Sequence, residues 1–412
     1  MLSKFFASHT RIEALRDGPD GSLLESFARS LSEAGYATST TRAHLRAAEH
    51  FIHWIHRNGK SLSESNEQVL AQFDSHLRRC RCQHYGHAKQ EAVIHGTRLF
   101  MSHLRDLGVT AAAAPKNPED SDLLLAFRQW MRQQRGTGDA TLSNYSFHLR
   151  ELLERFGKPM QFDASMLRGL ILEKSRSCGW AAAKASTTAL RMFLRFLVAN
   201  GKCAVGLEAA IPTLAHWRLA TLPRYLQPEE VERLIASCDR SSPVGRRNRA
   251  ILLLLARLGL RAGDITHLRL GDIDWKNAYI QVCGKGRRQT QLPLTQEIGQ
   301  AIVDYLQNGR PQCNADTVFV SCDAPFRSIG SAAVSMIVVR TLRRAGVVRP
   351  SRGAAHLLRH SIATSMLRQG ATLEDIAGIL RHSSIETTQI YAKVDIAALQ
   401  QIAQPWPEVE PC

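Results

Sequence analysis

HLLRHSIATSMLRQGATLEDIAGILRHSSIETTQIY, residues 356–391, lays two patterns over each other. Apolar side chains recur at helical spacing, through Leu357, Ile362, Met366 and Leu367, then Leu373, Ile376 and Ile379. That spacing predicts two helices, with Gly370 capping the first. Set into this framework are His356, Arg359, His382 and Tyr391. His356 and Arg359 are three residues apart, so on a helix they share a face and can serve one ligand. A guanidinium flanked by imidazoles, with a phenol beyond, suits a phosphate held near a nucleophile. The plainer reading is a helical core with surface histidines, and the residues upstream decide between the two.

At 412 residues the chain predicts two or three domains with substantial cores. Lysine and arginine number 53 against 37 acidic residues, a net charge of +16 with a pI near 9.8. The excess runs through the folded segments and is not gathered in a tail, which points to an enclosed polyanion, nucleic acid first. The nine cysteines form no regular framework and follow no signal-like segment. Free thiols in a reducing cytoplasm, on the nucleoid, are therefore expected. No apolar run approaches the ~18 residues of a membrane span, so no membrane partner is expected.

In chain order, residues 1–20 have no clear period and read as a loose leader. Residues 21–110 carry helical patterns: Leu23, Leu24, Phe27 and Leu31; Ala48, Phe51, Ile52 and Ile55; and Leu99, Phe100, Met101 and Leu104. A linker, 111–118, follows, marked by prolines and an aperiodic alanine run. Over 119–205 the patterns return about 100 residues on. Leu123, Leu124, Phe127 and Met131 match the first helix, and Leu149, Leu152, Leu153 and Phe156 the second. Arg191-Met192-Phe193-Leu194 echoes Arg98-Leu99-Phe100-Met101. Three helices agreeing in order predict a duplicated helical domain. A second linker, 206–222, leads to a domain over 223–404, and 405–412 is a tail. In that domain Arg249–Leu258 is expected as a buried helix. Tyr279–Cys283 and Gln289–Leu294 are expected as strands around Gly284-Lys285-Gly286, with Thr317–Val320 as a third. The fold class is mainly α with a small antiparallel sheet in the last domain (α+β).

Cys80, Cys82, His84 and His87 invite a metal reading. Their C-x-C-x-H spacing is cramped for a structural zinc site, so a basic, solvated loop is preferred, with no metal expected.

Leu-Gly-Leu-Arg at 258–261, Gly-Lys-Gly at 284–286, His-Leu-Leu-Arg at 356–359, Arg-His-Ser-Ser at 381–384 and Tyr391 occur in that order. The chain thereby resembles the tyrosine recombinases, or phage integrase family, particularly the bacterial Xer-like branch. The likeness is dense from Pro223 to Val394 and looser over 119–205, which looks like the family's core-binding, DNA-binding domain. It implies a site-specific recombinase acting on double-stranded DNA as a tetramer, without metal, ATP or other cofactor. Tyr391 would be the nucleophile of a 3′-phosphotyrosyl intermediate. By resemblance, His356 assists its proton transfer, His382 donates a hydrogen bond to the phosphate, and Lys285 protonates the leaving 5′ oxygen. Asp264 fits the family's acidic position and would orient Arg261.

The chemistry argues in the same direction. Phosphodiester cleavage without metal needs side chains to neutralise the charge on five-coordinate phosphorus. Guanidiniums fork two hydrogen bonds onto non-bridging oxygens, and Arg261 and Arg359 are the candidates. A phenol with a pKa near ~10 needs a proton acceptor to attack. A lysine can give up a proton to the leaving group where an arginine cannot.

Two residues depart from the family pattern. Arg381 stands where glycine is common before the second histidine, with an outward side chain as the favoured placement, and Leu357 replaces an aspartate. Asp395–Ala403 reads as a helix whose apolar stripe, Ile396, Leu399 and Ile402, would dock on a neighbouring subunit. A type IB topoisomerase-like nicking-closing enzyme and a catalytically inactive DNA-binding accessory protein are the competing readings. The block 21–110 carries 11 basic and 8 acidic residues and nine histidines from His44 to His103. Those histidines are expected to charge as pH falls toward ~6.5. The block is expected to grip DNA, with a protein–protein role as the alternative.

Overall fold

The computed structural model describes residues 1–82, 85, 89–111, 122–156, 162–214, 222–283, 289–348, 353–382, 384–395 and 399–400. The chain divides into two compact units, one of residues 1–111 with 219–412, the other of residues 112–218.

The first unit begins with a correction. Residues 1–20 are not a loose leader. A 3-10 turn at Leu2–Lys4 leads to helix α1 (His9–Asp17), whose N-cap Ser8 accepts from the Arg11 amide. Leu2, Phe5, Phe6 and Leu15 are buried in the same core as the helices that follow. The segment lacks a helical period because its apolar groups come from a turn as well as a helix. Burying two phenylalanines and two leucines is still strongly favourable. Ion pairs tie it down, from the Met1 amino group to Glu25 at 2.5 Å and from Arg11 to Glu49.

Helices α2 (Gly21–Glu33), α3 (Thr38–Arg57), α4 (Glu67–Leu77) and α5 (Gln90–Asp106) complete this block. Phe27 and Phe100 meet at 5.2 Å between ring centroids in its core. At Gly96 a Cβ would lie 2.8 Å from the Cβ of Ala47, so α3 and α5 approach as closely as they do only with glycine there. Four of the nine histidines behave otherwise than expected. Burial lowers the pKa of His44, His50, His76 and His103, so these four resist protonation where a free imidazole would take it up.

The second unit has the same helix order, α6 (Asp122–Arg135), α7 (Asp139–Phe156), α8 (Ala164–Ser177) and α9 (Trp180–Ala199). Asp163 caps α8 by accepting from the Met166 amide at 2.8 Å. Phe127 and Phe193 cross edge to face at 5.4 Å. The 111–118 linker, apart from Ala111, lies outside the described residues.

The rest of the first unit starts with α10 (Pro228–Ala236) and α11 (Pro243–Arg257), each with proline in its first turn. The run Ala250–Leu255 is buried throughout, as its all-round apolar sequence requires. After α12 (Ala262–His267) comes an antiparallel sheet in the order β1 (Ile273–Asp274), β2 (Tyr279–Cys283), β3 (Gln289–Pro293), with Ile280 opposite both Ile273 and Leu292. The third strand is thus β1 and not Thr317–Val320. That segment buries Val318, Phe319 and Val320 but makes only isolated bridges, Arg269 with Thr317 and Val320 with Ser328. Helices α13 (Gln296–Asn308), α14 (Ser331–Arg344), α15 (Ala354–Arg368) and α16 (Leu373–Leu380) follow. Two 3-10 turns, Ile385–Thr387 and Gln389–Val394, end the described structure before residues 399–400. Most of the expected C-terminal helix, including Ile396 and Ile402, lies outside the described residues. No helix among them is long and apolar enough to cross a membrane.

Candidate active site

Arg359 is the centre of the site. It lies on α15 at 4% exposure, and its two terminal nitrogens donate to the backbone oxygens of Gly259 and Leu380. This contact explains the Leu-Gly-Leu-Arg motif. Gly259 has φ of +58°, and a Cβ there would lie 2.5 Å from Leu380 Cδ2. Only glycine lets the chain leaving α11 turn this way while its carbonyl meets the guanidinium. Two residues later Arg261 sits at the N-cap of α12, its side chain donating to the Arg381 carbonyl at 3.3 Å. Burial, then Arg261 close by, pulls the pKa of Arg359 down to about 10, and burial lowers that of Arg261. Both keep their charge at neutral pH.

Arg381 does not point outward. It ends α16 in the left-handed conformation at φ +54°, where glycine would be unstrained. Its side chain turns inward to pair with Asp264 at 2.5 Å, both groups at 7% exposure. Asp264 also accepts from the Arg261 amide at 2.8 Å. It therefore fixes Arg261 through the backbone, while its charge meets Arg381. The αL strain of about 1–2 kcal/mol is offset by a buried, charge-assisted bond.

Tyr391 is 1% exposed and packs on Ala363, Ile376 and Leu380. Its hydroxyl lies 2.9 Å from Nδ1 of His360. Burial raises the phenol to about 12, against an opposing pull from Arg359. His360 is pushed down to about 4 by burial, then by His356 and Arg359. A neutral imidazole leaves one ring nitrogen as an acceptor, so Nδ1 can take the phenol's hydrogen bond. His382 is also lowered to about 4, first by burial and then by Arg359 and Arg261. Its Nδ1 is 2.8 Å from the hydroxyl of the buried Thr388. His356 lies on the outer side of α15, where desolvation by the surrounding protein, Arg359 and Arg261 lower its pKa.

The structure thus gathers Arg261, His356, His382 and Tyr391 within electrostatic reach of Arg359, with Asp264 behind Arg261. Lys285 lies outside the described residues. His360 and Thr388 join the site without having been expected from the sequence. His360 was open to detection, since it stands four residues after His356 on the same helical face. Among the described residues of the cluster, three guanidiniums face a single carboxylate, which suits an anion with a nucleophile held beside it.

Over residues 224–397 the chain matches the model of the phage integrase family. It is 35% identical over 400 residues to a Sinorhizobium fredii protein provisionally named integrase/recombinase y4rA, covering 95% of each chain. The chain belongs to the phage integrase family of tyrosine recombinases. The tyrosine recombinase XerC of Lactobacillus delbrueckii subsp. bulgaricus is 33% identical over 218 residues, 52% of this chain and 72% of that protein. Among solved structures, the XerH site-specific recombinase, crystallised on a palindromic difH substrate, shares the fold with a TM-score of 0.56. Its identity is 20%, over 82% of this chain and 95% of that one. This recombinase is accordingly a tyrosine-type, site-specific enzyme. The match to y4rA covers 95% of this chain, so it takes in most of the N-terminal block, whereas the match to XerC covers about half of the chain.

Proposed function

We propose that this recombinase cleaves and rejoins double-stranded DNA through Tyr391, without metal or ATP in the chemical step. The observation that carries the reading is the burial of Tyr391 beside Arg359, with its hydroxyl on a neutral imidazole. The phenol oxygen attacks the scissile phosphorus and its proton passes to an imidazole. The 5′ oxygen leaves with a proton from Lys285, and a 3′-phosphotyrosine remains. Arg261 and Arg359 neutralise the charge that builds on the non-bridging oxygens, the work a metal does in other phosphodiester enzymes. His382 donates to the same phosphate. The phosphotyrosyl bond keeps the energy of the diester, so a 5′ hydroxyl of another strand can reverse the attack and complete the exchange. His360 is the acceptor nearest the phenol in this arrangement, and His356, one turn earlier on the helix, takes the role the family resemblance gives it.

The catalytic segment spans 223–404 and the core-binding domain 119–205, acting on the DNA of the cytoplasm as a tetramer. The block 21–110 is a second copy of the core-binding fold that extends the DNA footprint. The shared helix order and the matched pairs Phe27–Phe100 and Phe127–Phe193 support that reading.

The test is supercoiled DNA carrying two candidate sites. Wild-type protein should give covalent adducts and recombinants, and Tyr391→Phe should bind but give neither. Adduct from the phenylalanine variant would move the nucleophile elsewhere. Relaxation without recombinants would replace the reading by a topoisomerase-like one. A chain starting at Pro115 should lose the outer part of the footprint, and an unchanged footprint with weaker synapsis would leave the N-terminal block an assembly role.

A further inference from the structure

A second cluster lies in the N-terminal block, built from residues that the recombination chemistry does not use. His50 projects from α3 and His76 from α4, and the chain leaving α4 brings Cys80 and Cys82 to them. The four donor atoms all lie within 4.8 Å of one another. The sulfur of Cys80 is 3.5 Å from Nε2 of His50, and that of Cys82 is 3.5 Å from Nε2 of His76. A tetrahedral zinc with Zn–S near ~2.3 Å and Zn–N near ~2.05 Å holds sulfur and nitrogen about 3.5 Å apart. Both cysteine–histidine pairs stand at that separation, and the widest pair needs to close by about 1 Å.

We propose that His50, His76, Cys80 and Cys82 form a tetrahedral structural zinc site that fastens α3 to α4. The donor set is the two-thiolate, two-imidazole set that zinc favours, and the four atoms span too little space for a multinuclear cluster. All four positions are filled by protein, which marks a structural and not a catalytic site. Two thiolates balance the dipositive ion, and each thiol gives up its proton on binding.

The surroundings already hold the ligands in place. His50 is 2% exposed, stacked on Tyr85 at 4.5 Å and 3°, and crossed edge to face by Phe73 at 5.2 Å. His76 stacks on Phe73 at 6.0 Å and crosses His50 edge to face at 5.7 Å. The backbone amide of Cys82 donates to the Cys80 sulfur at 3.4 Å, the kind of outer contact that steadies a thiolate ligand. Cys80 and Cys82 are half-buried, which corrects the solvated loop read from the sequence. His84 and His87, which the sequence groups with them, lie outside the described residues. His76 stands six residues before Cys82 and His50 thirty before Cys80, a set that no local motif displays.

The experiment uses the full-length protein grown with zinc and measured by atomic emission. One zinc per chain is expected, and none would overturn the proposal. Replacing zinc with cobalt(II) should give the thiolate charge-transfer band and the strong visible bands of a tetrahedral site; weak octahedral bands would overturn it. Cys80→Ser with Cys82→Ser, or His50→Ala with His76→Ala, should lose the metal, whereas His84→Ala with His87→Ala should keep it. Loss in the last variant would assign the metal to the sequence-local group instead. Should the cysteine variants not fold, the wild-type protein still decides. Chelation should release one zinc and make two further thiols reactive, beyond the exposed Cys178 and Cys283. A Cys80–Cys82 disulfide in the freshly purified protein would overturn the site.

Discussion

Around Tyr391, burial drives His360 and His382 down to about 4, and around Cys80 it drives His50 to about the same value. The two places bury the same side chain to the same effect, yet they suit ligands of opposite charge. Beside the imidazoles near Tyr391 stand Arg261, Arg359 and Arg381, with Asp264 as the one carboxylate among the groups described there. The surplus positive charge needs an anion. Beside His50 and His76 stand two thiols, which give up their protons to a cation that binds them. Burial makes each imidazole neutral and available, and the neighbours decide what it receives.

The broadest way to break this comparison is salt. The segment 223–404 carries 24 basic and 15 acidic residues, and 119–205 carries 13 and 8. With roughly ten phosphates contacted, log K should fall against log salt with a slope near about −9. That is about five orders of magnitude between ~50 and ~200 mM. A flat response in filter binding would remove a polyanion as the partner of the arginine cluster.

Arg359→Ala should cost on the order of 3 kcal/mol in the cleavage step, roughly 150-fold in rate. Lysine should restore little of it, because one ammonium cannot hold the Gly259 and Leu380 carbonyls together. Single-turnover cleavage at saturating enzyme measures this, and a rate within threefold of wild type would show that the cluster is structural.

Arg381→Gly sharpens the comparison by removing one cation and leaving Asp264 buried without it. Breaking a buried pair costs about 3 kcal/mol, and relief of the left-handed backbone returns about 1, so a net loss of about 2 kcal/mol is expected in denaturant unfolding. A more stable glycine variant would mean that the pair contributes less than the strain.

The smallest effect belongs to buried histidines with neither kind of neighbour. Burial, then His95, lowers the pKa of His44, and burial lowers that of His103. Their unfolded value is near ~6.5, so between that value and the lower folded one the unfolded chain binds more protons. The stability they contribute is complete above ~6.5 and lost as pH falls below it. Unfolding midpoints of the N-terminal block at pH 7.5 and 5 should show the loss, and His44→Phe should blunt it. A midpoint that rises on acidification would contradict the sign.

Much of the architecture is legible in the order of residues along the chain. Apolar spacing places helices at Gly21–Glu33, Thr38–Arg57, Gln90–Asp106 and their counterparts after Asp122, because a helix writes its buried face every three or four residues. The motif order from Arg261 to Tyr391 points to the family, since its reacting groups keep fixed company along the chain. The first seventeen residues escape such reading because Phe5 and Phe6 bury themselves from a turn, which leaves no period to detect.

What the sequence by itself determined is the kind of helical protein this is, its family, and the phenol, guanidinium and imidazole groups on which the proposed chemistry rests. Tertiary structure alone decided which partner each of those groups keeps. Asp264 meets Arg381 across 117 residues, His360 meets Tyr391 across 31, and His50 meets Cys80 across 30. Contacts of that span follow from how helices pack, and packing depends on the summed fit of many side chains with no signature at any single position.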